Sequence, residues 1–215
     1  MTHFLRSQHQ AILIGVGTAI ADNPSLNCRI EGTNLANQPR PVILDPNNSW
    51  NASNSACFQL AKSRLGLAPW VIVDHRMDAE KIEKLKEVGG TYIVMPREIV
   101  TSQTGGDNLH AEISWSKILH MLWERGIRSV MVEGGAGVIR NLLRPHNLNL
   151  IDSVILTIAP TWLGEGSLLV SPPQREGGGD GAKVPAVRLK EITWHQFGED
   201  VVLYGRIKQD KNERG

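Results

Sequence analysis

Short apolar runs ending at glycine, proline or aspartate recur along this chain, and helical patterns separate them. Ala11-Ile12-Leu13-Ile14-Gly15-Val16 is the first, followed by Pro41-Val42-Ile43-Leu44-Asp45, Trp70-Val71-Ile72-Val73-Asp74 and Thr91-Tyr92-Ile93-Val94-Met95. Arg128–Val132 and Ile151–Ala159 continue the series. Runs this short and rich in Val and Ile read as strands buried on both faces. Between them, Asp78–Val88 spaces Ala79, Ile82, Leu85 and Val88 along one helical face, with Asp78 as its cap and Gly89-Gly90 as its stop. Ser114–Arg125 reads as a second helix, ended by Gly126, and Val138–Leu143 as a third. Strands that alternate with helices imply an α/β fold built on a mostly parallel sheet.

The rhythm changes towards the carboxyl end. Leu163–Pro185 is rich in Gly and Pro and reads as a long excursion, with Gly177–Gly181 as a local insertion. Ala186–Phe197 and Asp200–Ile207, joined by Gly198-Glu199, form a candidate antiparallel hairpin that makes the sheet mixed. Val100–His110 is polar and reads as a loop. No linker interrupts the pattern. One domain is expected over residues 1–208, with a charged flexible tail at 209–215.

Composition narrows the function. With 23 basic and 22 acidic residues the net charge is +1, which gives no electrostatic footprint for nucleic acid. The apolar runs fall far short of the ~20 residues that cross a membrane, and Met1–Arg6 lacks the build of a secretory signal. Cys28 and Cys57 fit neither a disulfide scaffold nor a zinc motif, and none of the seven histidines makes a ligand pair, so no metal is expected. A globular, soluble, cytoplasmic protein is the expectation.

Two glycine-rich turns carry the chemical signal. Gly15-Val16-Gly17-Thr18 leaves the first strand, with Asp22 one helical turn further on. Glycines there let backbone N–H groups approach a ligand. A tight strand–helix turn, with Asp22-Asn23-Pro24 as its chemistry, accounts for the pattern equally well. The second turn, Glu133-Gly134-Gly135-Ala136-Gly137, lies between a strand and a helix start. Its small residues and free N–H groups suit a pyrophosphate, and Glu133 stands at a strand end where open α/β sheets bind ligands. Close helix–strand packing is the alternative. Neither turn carries the Gly-Lys-Ser/Thr of a phosphate loop, and two such turns together suit a dinucleotide.

At these residues the chain resembles the riboflavin-biosynthesis reductases. The resemblance lies in Ala11-Ile12-Leu13-Ile14-Gly15-Val16-Gly17-Thr18, continuing through Asp22-Asn23-Pro24-Ser25-Leu26-Asn27-Cys28-Arg29, and in Val132-Glu133-Gly134-Gly135-Ala136-Gly137. Ile158-Ala159-Pro160-Thr161-Trp162-Leu163-Gly164 and the ending Phe197–Ile207 are similar too, the ending to the fungal branch in particular. The resemblance implies a dihydrofolate-reductase-like three-layer fold, a homodimer, and NADPH as hydride donor. It implies reduction of the ribosyl group of a pyrimidine ribonucleotide, 2,5-diamino-6-(ribosylamino)-4(3H)-pyrimidinone 5′-phosphate, to its ribitylamino product.

Matched motif by motif, it implies that Thr18 and Asp22 contact the nicotinamide nucleotide and that Gly134, Gly135, Ala136, Gly137 and Val138 hold its phosphates. The positions of Leu26, Arg29 and Glu133 contact substrate, where a guanidinium can clamp a ribose phosphate. Glu133 is also the candidate proton donor for ring opening. The sequence does not separate NADPH from NADH: the partner of a cofactor 2′-phosphate is Arg76, Arg97 or neither. The family's first strand and loop precede the residues matching Met1–Ser7, so this chain is expected to lack that strand. The competing expectation is a catalytically impaired relative that acts only as a nucleotide-binding or interaction protein.

Overall fold

The computed structural model describes residues 1–75, 77–101, 109–162, 164–166, 168–171 and 187–208. The Gly177–Gly181 run, the tail from residue 209 and Arg76 lie outside them. Two compact units divide the chain between Ile139 and Arg140.

The first unit opens with helix α1 (Thr2–Ser7), strand β1 (Ala11–Gly15) and helix α2 (Val16–Asp22). Strand β2 (Arg40–Leu44), helix α3 (Ala56–Lys62), strand β3 (Trp70–Val73), helix α4 (Ala79–Glu87) and strand β4 (Thr91–Val94) follow. Strands β5 (Glu98–Thr101) and β6 (Leu109–Glu112) pair with each other, and helix α5 (Trp115–Glu124), strand β7 (Val130–Val132) and helix α6 (Ala136–Leu142) come next. The main sheet is parallel throughout, in the order β4-β3-β2-β1-β7. Every residue of β1 is buried, as its unbroken apolar run requires when a strand is covered on both faces. Ile12, Ile14, Ile43, Val71 and Val73 form the core with Ala19, Leu26, Trp50, Phe58 and Leu85.

The second unit contains strands β8 (Val154–Ile158), β9 (Leu189–Phe197) and β10 (Asp200–Ile207). They form an antiparallel sheet in the order β8-β10-β9. The expected hairpin is present, but its second arm pairs with β8 in a sheet separate from the parallel one, and β8, expected in the buried series, is antiparallel and mostly exposed because it ends its sheet.

Two local expectations are corrected, and one helix was not expected. Residues 98–101 and 109–112 form a two-stranded ladder where polarity suggested a loop. Cross-strand pairing supplies what hydrophobic patterning does not. Helix α3 has no apolar periodicity long enough to announce it. It is nucleated by Ser55, whose hydroxyl accepts from the Phe58 N–H at 3.2 Å. Helix α6 begins at Ala136, two residues earlier than the pattern suggested, inside the glycine turn itself.

Candidate active site

Parallel strands bring their carboxyl ends to one rim of the sheet, so the two glycine turns become neighbours through the β1–β7 ladder. The Glu133 N–H donates to Leu13 O at 2.9 Å, which carries that ladder one residue past β7. The chain then turns through Gly134 (φ +66°) and Gly135 (φ +82°). Two successive left-handed residues are what glycine tolerates and L side chains resist, by about 1–2 kcal/mol each. Space imposes a second limit. A Cβ on Gly135 would stand 3.1 Å from Thr18 Oγ1 and 3.6 Å from the Gly15 nitrogen. One on Gly134 would stand 3.4 Å from Thr18 Cγ2. The two turns therefore meet at Thr18.

Packing and ligand approach can be separated residue by residue. A Cβ on Gly15 would lie 2.6 Å from Val138 Cγ2, so that glycine is required for α6 to sit against β1. Gly137 is different, because nothing lies within 4 Å of its Cβ position. No packing demand of the protein itself explains a glycine there. Asp22, exposed, lies four residues beyond half-buried Thr18, on the same face of α2.

On the other side of Glu133 stands Arg6, which the sequence reading passed over. Arg6 Nε donates to Glu133 Oε1 at 2.9 Å and Nη2 donates to Oε2 at 2.7 Å, a two-pronged pair. Both side chains are largely buried, 12% and 18% exposed. The Glu133 hydrogen bonds push the Arg6 pKa above its ordinary value. Arg6 Nη1 donates to Asn27 O at 3.1 Å, which ties the pair to the segment holding Leu26 and Arg29. Gln38 grips that segment from its other side. Its Oε1 accepts from Cys28 N at 2.8 Å and its Nε2 donates to Cys28 O at 2.9 Å.

Leu26 and Arg29 take opposite positions. Leu26 is 1% exposed and belongs to the core, with φ +50°, so it can meet a ligand only through its backbone. Arg29 is exposed beside His3. Its N–H lies 3.2 Å from His3 Nδ1 and its Nε 3.1 Å from His3 Nε2. A neutral imidazole has one acceptor nitrogen, so one of these two contacts is a hydrogen bond at a time. Burial lowers the His3 pKa, and the nearby Arg29 and Arg6 charges lower it further.

The signal for Arg6 is absent from its neighbourhood in sequence, because its partner is 127 residues away. Among the described residues no group of three His, Cys, Asp or Glu side chains could hold a metal ion, and no helix is long and apolar enough to cross a membrane.

Comparison with known proteins gives this geometry a context. The model of the RibD C-terminal domain matches residues 1–203. A protein of Saccharomyces cerevisiae named 2,5-diamino-6-ribosylamino-4(3H)-pyrimidinone 5′-phosphate reductase is 38% identical over 211 residues, covering 98% of this chain and 75% of that protein. One of the same name from Debaryomyces hansenii is 35% identical over 210 residues, covering 96% of this chain and 76% of that protein. A solved structure of a Saccharomyces riboflavin biosynthesis reductase superposes with a TM-score of 0.73 at 35% identity, covering 97% of this chain and 79% of that one.

Proposed function

The chain belongs to the RibD C-terminal domain family, and on that premise we propose that it reduces 2,5-diamino-6-ribosylamino-4(3H)-pyrimidinone 5′-phosphate to its ribitylamino product, with NADPH as reductant, in riboflavin biosynthesis. Its fold is dihydrofolate-reductase-like, a mostly parallel sheet with an antiparallel one beside it in the chain. The observation that carries the proposal is the left-handed Gly134-Gly135 turn against Thr18, directly continuous with the Glu133–Arg6 pair. That arrangement puts a cradle cleared of side chains next to a fixed carboxylate.

The bound cofactor would supply a hydride. Gly134, Gly135, Ala136, Gly137 and Val138 would hold its phosphates through backbone N–H groups, and the Thr18 hydroxyl and Asp22 would contact its nicotinamide nucleotide. On the substrate side Arg29 would clamp the ribose phosphate. Glu133, gripped through both oxygens by Arg6, suits an acceptor for substrate N–H or O–H groups. A proton delivered from Glu133 would first have to be loaded onto an oxygen that Arg6 already holds, so we assign it orientation rather than proton donation. Orienting two reactants is the main task a protein performs in cofactor chemistry of this kind.

We further propose that residues 1–208 act as one reductase domain in a cytoplasmic homodimer. The support for a dimer is one face of the β8-β10-β9 sheet. There Leu156 and Trp194 flank Leu203 in register, and Ile158 lies opposite Val201. Leu156, Ile158 and Trp194 are 48%, 46% and 58% exposed. Apolar exposure of that kind marks an interaction surface.

Gly137→Ala tests the cofactor cradle. Alanine meets open space there, and a helical Gly→Ala change stabilises by roughly 0.4–1 kcal/mol. The variant should melt no lower than the parent, yet bind NADPH more weakly, read by quenching of intrinsic tryptophan fluorescence. A variant that binds NADPH as well as the parent would remove residues 134–138 from the phosphate site.

A further inference from the structure

The same carboxyl-end rim continues past the glycine turns. Beyond β1 it passes the turn after β2, then Asp74 after β3 and Arg97 after β4. Adjacent strands lie about 4.8 Å apart, so the end of β2 stands roughly 10 Å from that of β7. A dinucleotide whose phosphates rest on the turn after β7 and β1 can lay its adenosine half along this rim.

The rim there is built, not loose. Asp45 is fully buried, and its carboxylate accepts from Ser49 N and Oγ at 3.0 Å each and from Trp50 N at 2.8 Å. The Asn48 N–H donates to Asp45 O at 3.0 Å, closing the turn that presents Asn47 outward. Arg97 Nη2 donates to Asn47 Oδ1, and Arg97 Nε lies 2.8 Å from Asp74 Oδ2. His75 pairs with the other Asp74 oxygen, and His75 with Arg97 holds that carboxyl below the usual carboxylate range. The Arg97 side chain is 30% exposed, and its Nε, though 2.8 Å from Asp74 Oδ2, is buried without an aligned hydrogen bond. On Asn48, the next residue, Oδ1 is buried and likewise unpartnered. An orphan acceptor of that kind calls for a polar partner from ligand or solvent.

We propose that Arg97, seated on Asn47 and Asp74, recognises the ribose 2′-phosphate that distinguishes NADPH from NADH, and so sets the cofactor preference of this protein. The proposal rests on the nicotinamide-cofactor assignment above. A guanidinium suits the task because its planar fork matches a phosphate with paired donors, and its charge does not depend on pH. Asp74 is a positioning residue. Its carboxylate pairs with the guanidinium at 2.8 Å and keeps it beside the β2 turn, where Nη2 meets Asn47.

The test is direct binding, by calorimetry, of adenosine 2′,5′-bisphosphate and of 5′-AMP, which differ by the 2′-phosphate alone. The purified parent should prefer the bisphosphate, and Arg97→Ala should lose that preference by roughly ten- to a hundredfold in Kd, with 5′-AMP affinity unchanged. Arg97→Lys should restore part of it. Asn47→Ala, which leaves the Arg97–Asp74 pair in place, should weaken bisphosphate binding alone. Turnover supplies a second readout, in which Arg97→Ala raises KM for NADPH and leaves KM for NADH and both kcat values in place. A parent without preference, or an Arg97→Ala protein that keeps it, overturns the proposal while NADH and NADPH turnover leaves the cofactor assignment standing. A folded parent that binds neither fragment and oxidises neither cofactor overturns both.

Discussion

Removing Arg6 is the sharpest test of how the site is held. Arg6→Met keeps the packing of the stem and deletes the guanidinium. Three hydrogen bonds go with it, two to Glu133 and one to the Asn27 carbonyl. Breaking a fully buried ion pair by removing one partner costs about 3–5 kcal/mol, because the other charge stays behind without water. Glu133 is 18% exposed, so water recovers part of this, and roughly 2–3 kcal/mol is the reasoned figure. In a chain of this size 1 kcal/mol moves Tm by about 2–4 °C, so the variant should melt roughly 5–10 °C lower by differential scanning calorimetry. Glu133→Gln should cost less, since the amide still accepts one hydrogen bond from Arg6. The double variant should recover at least about 1 kcal/mol relative to the sum of the two single effects. Function should divide in the same way. Arg6→Met should raise KM for the pyrimidine substrate far more than KM for NADPH, because Asn27 and Arg29 lie on the freed segment and the Gly134-Gly135 turn does not. A Tm within about 1 °C of the parent, the scale of an ordinary surface change, would refute the reasoning.

Further outcomes follow from other contacts. Gly15→Ala should destabilise by about 1–3 kcal/mol through overpacking, and Val138→Ala should relieve it in the double variant, read by urea midpoints. Gly135→Asp should abolish saturable NADPH binding in a protein that still folds, through both its φ and its charge at the phosphates; unchanged binding would remove the assignment. His3 has a folded pKa below its ordinary 6.5, so the unfolded chain binds the extra proton first. Its contribution is complete above pH 6.5 and fades as pH falls towards the folded value, so acidification should lower the urea midpoint of the parent more than that of His3→Asn. The Cys57 thiol is pushed up to about 12 by burial and donates to Pro24 O at 3.0 Å, so it should resist iodoacetamide at pH 8 until urea unfolds the chain.

The parallel sheet was legible because its strands are short apolar runs, and burial on both faces leaves no other composition open to them. β1 is the clearest instance, apolar from Ala11 to Ile14 and wholly buried. The glycine turns were legible because backbone demands leave a mark in residue type: left-handed φ at Gly134 and Gly135, and the close approach of Val138 at Gly15. What the sequence did not disclose depends on distance. Arg6 looks like any helical cation until β7 delivers Glu133 to it, and Arg97, a candidate by residue type, gains its contact only when the β2 turn delivers Asn47. At Leu26 the motif left open which part of the residue meets a ligand. Its place in the motif implies substrate contact, while its side chain is spent on the core and its backbone takes φ +50°. The β5–β6 ladder was hidden because pairing, not patterning, supports it.

These two long-range pairs divide the rim into two recognition problems. At one end Arg6 holds Glu133 and the Asn27 segment, so a change there should act on the pyrimidine nucleotide. At the other end Asp74 and Asn47 hold Arg97, so a change there should act on the adenosine half of the cofactor. Between them lies the cradle of Gly134 and Gly135 against Thr18, which contributes backbone and one hydroxyl but no charge. On the proposed assignment, charge stands at the ends of the rim, where two ligands would be told from their near relatives, and the Gly134-Gly135 turn between them offers close approach. An Arg6→Met/Arg97→Ala protein should therefore show additive losses, one in substrate KM and one in NADPH preference. Sites that share no partner add within about 0.3–0.5 kcal/mol. A coupling well above that would mean the two ends of the rim move as one element.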